Sequence, residues 1–179
     1  MAWSTPLTAV ANSALTAAQW NASVRDNLLE TGPAKATTAG RLIVTNGANA
    51  IVEREVKKAD ISTSQTTTSS SFTDLATPGP TVTVTTGTKA LVFASCQMAN
   101  SGANSVTQMS VAVSGATTIA ASQNDDLYND GLGAGNANRA TVAILFDALT
   151  AGSNTFKMQY RVAANTGTFY DRSLIVMAL

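Results

Sequence analysis

The segment Thr155–Val162, TFKMQYRV, is the plainest strand in the chain. Phe156, Met158, Tyr160 and Val162 alternate with Thr155, Lys157, Gln159 and Arg161. Successive strand side chains point to opposite faces, so this period of two predicts one face in a core and the other in water. A half-wet strand of this kind belongs to an antiparallel sheet. Its neighbours should therefore repeat the pattern.

They do, with turns every eight to twelve residues or so, the spacing of sandwiches and barrels. Thr81–Thr85 precedes a Thr86-Gly87 turn. Lys89–Met98 puts Ala90, Val92, Ala94, Cys96 and Met98 on one face. Met109, Val111 and Val113 lead to a Ser114-Gly115 turn, from which Thr117–Ala121 returns. Ala140–Leu149 is apolar on both faces and reads as a central strand. The closing run, Ser173–Leu179, is also apolar on both faces. With Phe72–Ala76 this makes about eight strands, the number of a jelly-roll-like sandwich. A doubly apolar last strand needs covering on both sides, and a neighbouring subunit is the simplest second cover. Leu174, Val176 and Leu179 are the candidate subunit-interface residues.

Upstream the pattern changes. Ser62–Ser71, STSQTTTSSS, is a composition shift that suits a linker or an exposed edge strand. It sets an expected domain boundary at residue 62. Residues 34–61 hold two short β-prone runs, Arg41–Thr45 and Ala50–Glu55, around Asn46-Gly47-Ala48-Asn49. Asn-Gly between apolar runs is a strong hairpin signal, and a lone hairpin must pack on something. The mixed charges of Glu53, Arg54, Glu55, Lys57 and Lys58 read as a solvated strand end leading into a linker.

Residues 1–33 form an arm and a helix. In LTAAQWNASVRDNLLETGP, Leu15–Pro33, Thr16 sits where an N-cap belongs and Gln19 completes a capping box. Leu15 and Trp20 are spaced for a hydrophobic staple. Trp20, Val24 and Leu28 recur every fourth residue along one narrow face. Gly32 and Pro33 supply the expected stop. So short a helix with so thin a stripe is marginal alone and needs a partner. Trp3 and Pro6 lie in the arm before it, and an apolar Trp there is expected to dock on another protein. The expected class is mainly β: an N-terminal arm, one α-helix and a β-hairpin ahead of an antiparallel jelly-roll-like β-sandwich at residues 62–179.

Composition removes several functions. The chain has 179 residues, 45% hydrophobic and 12% charged; about a quarter is the usual charged share. Its eleven basic and eleven acidic residues cancel, so a nucleic-acid partner has no electrostatic footprint. Cys96 is the single cysteine, which excludes an intrachain disulfide and suits synthesis in a cytoplasm. No charged region followed by an apolar one marks a secretory signal at the N-terminus. The longest apolar run, Leu174–Leu179, is far short of the ~20 residues of a membrane helix, so no membrane insertion is expected.

There is no histidine, so Ser-His-Asp and Cys-His catalysis and most zinc sites are excluded. No glycine-rich loop joins a strand to a helix in the manner of a phosphate site. Asn124–Asn136, NDDLYNDGLGAGN, places Asp126, Asp130 and Gly131 at calcium-loop positions. Tyr128 then occupies a ligand position and Ala137 the twelfth place, and the match fails. Asp125 and Asp126 are adjacent, so on a strand they face opposite ways and make no acid–base pair. No catalytic, cofactor-binding or metal-binding residues are expected. Asp125, Asp126, Tyr128 and Asn129 instead offer a ring face and hydrogen-bonding groups of the kind a sugar contact uses. They form the candidate receptor loop for a host glycan.

The opening WSTPLTAVANSALTAAQWNASVRDNLLETGPAKATTAGRL is similar to N-terminal modules of virion structural proteins of tailed bacteriophages, especially those infecting actinobacteria. Its specific part is the Leu15–Leu28 signature, LTAAQWN…VRDNL. RLIVTNGANAIVER resembles hairpin units of phage fibre and decoration proteins, and DRSLIVMAL resembles the last strand of β-sandwich tips on such proteins. The resemblance implies a virion protein assembled in the host cytoplasm, with an N-terminal anchor on the major capsid protein or a tail protein. It also implies a displayed sandwich that forms a homotrimer. Trp3, Pro6, Leu15, Trp20, Val24 and Leu28 are the implied docking residues. The single hairpin, in place of a long repeated shaft, favours a head decoration or spike protein; the alternative is a tail-fibre tip that recognises host surface glycans.

Overall fold

The computed structural model describes residues 4–8, 10–130 and 132–179. It divides into two compact units, one running to Glu55 and the other from Val56 to Ala178. The boundary therefore falls after Glu55, not at residue 62. Val56–Ile61 is a strand of the sandwich, disguised in the sequence by Lys57 and Lys58. Charged side chains of this kind blunt an exposed sheet edge.

In the N-terminal unit the helix starts as its sequence predicts. The Thr16 hydroxyl accepts from the Gln19 N–H at 3.2 Å, and the Gln19 side chain accepts from the Thr16 N–H at 3.0 Å. Helix α1, Ala17–Trp20, then widens into a π turn over Asn21–Arg25 before α2, Asp26–Leu28. The wider turn breaks the four-residue spacing on which a single Trp20–Val24–Leu28 stripe depends. Gly32 and Pro33 do not close this helix. They open α3, Gly32–Lys35, because proline fits a first helical turn that needs no N–H from it.

The hairpin pairs β1, Leu42–Gly47, with β2, Ala50–Arg54. Its two-residue tip is Ala48-Asn49, with Asn49 at φ 56°, while Asn46 and Gly47 lie in the strand beside a bulge. The turn is thus shifted from the predicted Asn46-Gly47. Glu53 of β2 accepts from the Thr37 and Thr38 N–H groups, the latter at 2.9 Å, and ties the hairpin to the chain that leads into it.

The second unit is a two-layer antiparallel sandwich. Its strands are β3 Val56–Ile61, β4 Gln65–Thr67, β5 Thr81–Thr86, β6 Ala90–Asn100, β7 Thr107–Gly115, β8 Asp126–Asn129, β9 Ala137–Phe146, β10 Gly152–Val162 and β11 Gly167–Ala178. One sheet has the order β5-β10-β7-β8; the other has β3-β11-β6-β9, with β4 also paired to β11. The chain crosses between layers at most connections, as in a jelly roll. Phe156, Met158, Tyr160 and Val162 are fully buried, and so are Ala90, Val92, Ala94 and Cys96 on the facing sheet.

Some expected strands take other forms. Phe72–Ala76 makes only one bridge, Thr73 to Tyr160, and Thr117–Ala121 only one, Ile119 to Val113. The chain from Thr73 to Pro80 lies against β10; a Cβ on Gly79 would collide with the Met158 carbonyl. Ala140–Leu149 corresponds to β9, which is an edge strand and not a central one.

Candidate functional site

The predicted docking residues are largely unburied by their own unit. Leu15, Trp20 and Leu28 are each more than half exposed, Pro6 is exposed and Val24 is half-buried. Trp3 lies outside the described residues. The side of the helix that is covered is polar. The Asn27 side chain is buried, accepts from the Ser4 N–H at 2.9 Å and donates to the Ser4 carbonyl at 3.2 Å. Ser23 accepts from the Leu7 N–H at 3.0 Å. The arm is therefore zipped to the helix through Ser23 and Asn27, and apolar side chains stay outside. Leu7, Val10 and Leu29 add to that exposed set. No periodicity rule picks out Asn27, because its partner Ser4 is 23 positions away.

The C-terminal strand requires a correction. Leu174 and Val176 were expected at a subunit interface, but both are fully buried in the chain's own core. A bulge decides this. Between Tyr170 and Ser173 the pairing of β11 with β6 slips by one residue, with Asp171 in the left-handed region at φ 47°. Bulges shift the alternation of the strand that carries them. Phe169 faces the core before the bulge, and Arg172, Leu174, Val176 and Ala178 face it afterwards. Ile175 and Met177 are left on the outer face, half-buried. Leu179, beyond the strand, is half-buried as well.

The register extends this outer face across the sheet. Val56, Met177, Leu91 and Leu145 stand in one row over β3, β11, β6 and β9. Ile175 and Phe93 continue it in the next row, between Lys58 and Ala143. Farther along come Asp60, Ser173, Ser95 and Thr141. There the Lys58–Asp60 ion pair measures 2.9 Å and the Arg139–Asp171 pair 3.9 Å. Ser173 and Lys58 hold the Asp60 carboxyl below its ordinary range.

The candidate receptor loop is split. Asp126 and Tyr128 occupy alternate positions of β8, so they share its outer face. Asp126 is drawn inward to accept from Gln108, and burial raises its carboxyl above the ordinary value. Tyr128 is half exposed and donates to Asp130 at 3.1 Å, a contact that raises its phenol. Asn129 points the other way and reaches the Met98 carbonyl at 3.5 Å. The Asp125 carbonyl accepts from Ser110 at 2.9 Å. The four residues do not converge on one point, since two of them brace the polar cover over β7. Among the described residues no group of three His, Cys, Asp or Glu side chains is placed to hold a metal, and no helix is long and apolar enough to cross a membrane.

With this geometry in hand, comparison with solved structures is informative about architecture. Eiger TNF from S. frugiperda superposes with a TM-score of 0.50 at 12% identity, over 70% of this chain and 92% of that one. The likeness is one of fold. The infectious bursal disease virus Gt strain structure gives a TM-score of 0.43 at 12% identity, over 75% of this chain and 35% of that chain. The T13 IBDV viral particle gives 0.45 at 13% identity, with the same coverage. No protein-family model matches the sequence, and no curated protein matches it. The mainly β, jelly-roll-like architecture expected from alternating strands is the one observed.

Proposed function

We propose that the protein is a non-enzymatic structural component of a tailed-phage particle, a homotrimeric head decoration or spike protein. Its N-terminal unit docks on the capsid and its β-sandwich is displayed outward. The observation that carries this is the state of the N-terminal unit. Its arm and helix are held together by polar bonds through Ser23 and Asn27, while Leu15, Trp20 and Leu28 remain more than half exposed. Apolar side chains concentrated in so short a segment mark a surface that another protein covers. The same segment carries the Leu15–Leu28 signature that resembles phage N-terminal modules.

The lack of histidine supports a role without chemistry. The tail-tip alternative draws on exposed Tyr128, but Asp126 beside it is taken up by Gln108 and Asn129 faces the other way, which weakens a glycan site there. Imaging of intact particles tests the assignment. Many copies spread over the head are expected, and a few copies confined to the tail would favour the alternative. Deleting residues 1–33 should leave a folded sandwich that no longer attaches to particles; retained attachment would move the anchor elsewhere.

A further inference from the structure

Strand β10 turns Lys157, Gln159 and Arg161 to the wet face of its sheet. Two irregular stretches rise beside it. Residues 70–72 lead into the Thr73 bridge to Tyr160, and residues 120–123 follow the Ile119 bridge to Val113. The second stretch is tied to β7, where the Ser122 N–H donates to the Ser110 hydroxyl at 3.2 Å. Between them lies a groove of about 390 Å³, lined by Ser71, Phe72, Ser122 and Gln123 with Gln159 and Arg161 of β10. That volume is in the range of small-ligand sites.

Arg161 is set apart from the other arginines. Arg25, Arg41 and Arg139 face carboxylates, and Arg54 and Arg172 donate to backbone carbonyls. Among the described residues Arg161 alone has neither. Its guanidinium carbon lies 5.8 Å from the centroid of the Phe72 ring, and its Nε is buried without a hydrogen-bond partner. The two Nη groups are left with all their donors unspent. The acids nearby are already bonded. Asp74 accepts from Lys157 at 2.7 Å and Gln159 at 3.3 Å, and Asp126, which feels the charge of Arg161, accepts from Gln108. A cation stacked on a ring is held in place before a ligand arrives, which lowers the ordering cost of binding.

An unspent guanidinium selects a planar oxyanion, taken end-on by both Nη groups. A phosphate would carry nearly two charges and call for a second cation, but Lys157 is held by Asp74. A carboxylate fits one arginine. The other groups in the groove are neutral. Gln159 and Gln123 spend their amide nitrogens on Asp74 and Gln108, which leaves their carbonyl oxygens as acceptors. The Ser71 and Ser122 hydroxyls have no partner among the described residues. Neutral acceptors suit hydroxyl donors, whereas an ammonium would seek a free carboxylate.

We propose that this groove binds a carboxylated sugar residue, with the carboxylate on Arg161 and ring hydroxyls on Gln159, Gln123 and the two serines. The site lies wholly within the sandwich. It goes beyond the assignment to a phage particle and does not depend on it.

The test is a nuclear magnetic resonance titration of the full chain with D-glucuronate, D-glucose, acetate, glycine and inorganic phosphate. Glucuronate should shift the Arg161, Gln159, Ser122 and Gln123 signals saturably, and each other probe should bind at least about tenfold more weakly. Arg161→Gln should abolish the shifts. Arg161→Lys keeps the charge without the fork and should weaken glucuronate about tenfold. Phe72→Leu keeps an apolar wall but removes the ring that holds Arg161, and should weaken binding severalfold. Unchanged signals from β6 and β11 report an intact sandwich in each variant. The comparison of probes needs wild type alone, so it decides the matter even where a variant misfolds. No saturable shift with glucuronate overturns the proposal, and so does unchanged affinity in a folded Arg161→Gln. Acetate binding as tightly as glucuronate removes the sugar. Glycine or phosphate binding more tightly gives the groove to another ligand class, and the proposal would be wrong.

Discussion

Arg172 lies over the ring of Tyr160, its guanidinium carbon 5.5 Å from the ring centroid, inside the sandwich and 1% exposed. Its head donates to the Thr63 carbonyl at 3.0 Å and the Thr77 carbonyl at 3.4 Å. One buried cation thus pins two irregular stretches, on either side of Phe72, to the core. Tyr160 in turn packs on Phe169 with centroids 4.8 Å apart. Burying a charge is costly, and hydrogen bonds with a cation–π contact offset part of that cost.

Replacing Arg172 by Ala is therefore expected to destabilise the sandwich by roughly 3 kcal/mol, from the cavity and the two stranded carbonyls together. Lys at the same position keeps the charge but loses the planar fork, and should recover less than half of the loss. Urea unfolding of residues 56–179, followed by β-sheet circular dichroism and the fluorescence of Tyr128, Tyr160 and Tyr170, measures both. An Arg172→Ala midpoint equal to wild type would show that the Thr63 and Thr77 stretches are anchored by other contacts.

Cys96 gives a second measurement on the same core. It is fully buried, and burial pushes its thiol up to about 12. Both the missing thiolate and the closed packing should block alkylation. Native protein at about pH 8 is expected to resist a thiol reagent until denaturant unfolds the sandwich, after which one thiol per chain reacts. Rapid labelling of the native state would mean that β6 opens locally far more easily than its packing implies.

Why some of this was legible and some was not follows from particular residues. β10 reads plainly because one face is dry and the other wet, and the Lys89–Met98 face reads for the same reason. The final strand is apolar on both sides, so periodicity leaves its core face undecided. The decision belongs to the bulge at Asp171–Arg172, and nothing in the alternation of SLIVMAL reports it. β9 misled in the same way, since an outer face that stays apolar looks like a central strand. β3 was hidden by its lysines and β8 by its polar loop. In the N-terminal unit the capping box was visible because it is local. The Ser4–Asn27 bonds were not, because the partners are 23 positions apart and no local rule pairs them.

The acid response of the sandwich should carry the mark of Asp126. Burial raises its folded carboxyl above the unfolded value of 3.8, in spite of the bond from Gln108. A raised acid favours the protonated folded state, so its contribution is full below 3.8 and is lost as pH rises through the folded value. Asp126→Asn keeps a carbonyl to accept from Gln108 and removes the titration. The variant should match wild type near the acid end and be the more stable of the two at neutral pH. Denaturant midpoints at the two pH values decide it, and a gap that is constant with pH would refute the assignment.

Glu53 predicts the opposite sign in the N-terminal unit. Its carboxylate is held below the ordinary value of 4.5, first by the Thr38 N–H and then by Thr37. The stabilisation is present above 4.5 and disappears as pH falls through the folded value. Because these bonds close a loop between Thr37 and β2, their loss should free that loop and leave the sandwich strands intact. Hydrogen exchange can separate the two. In Glu53→Ala the Thr37 and Thr38 amides should exchange at rates close to an open chain, while protection in β6 and β10 is unchanged. Glu53→Gln can still accept one bond and should keep intermediate protection without the pH dependence. If Thr38 stays fully protected in the alanine variant, the carboxylate is not what holds the hairpin, and the bonds it accepts are incidental to the fold of that unit.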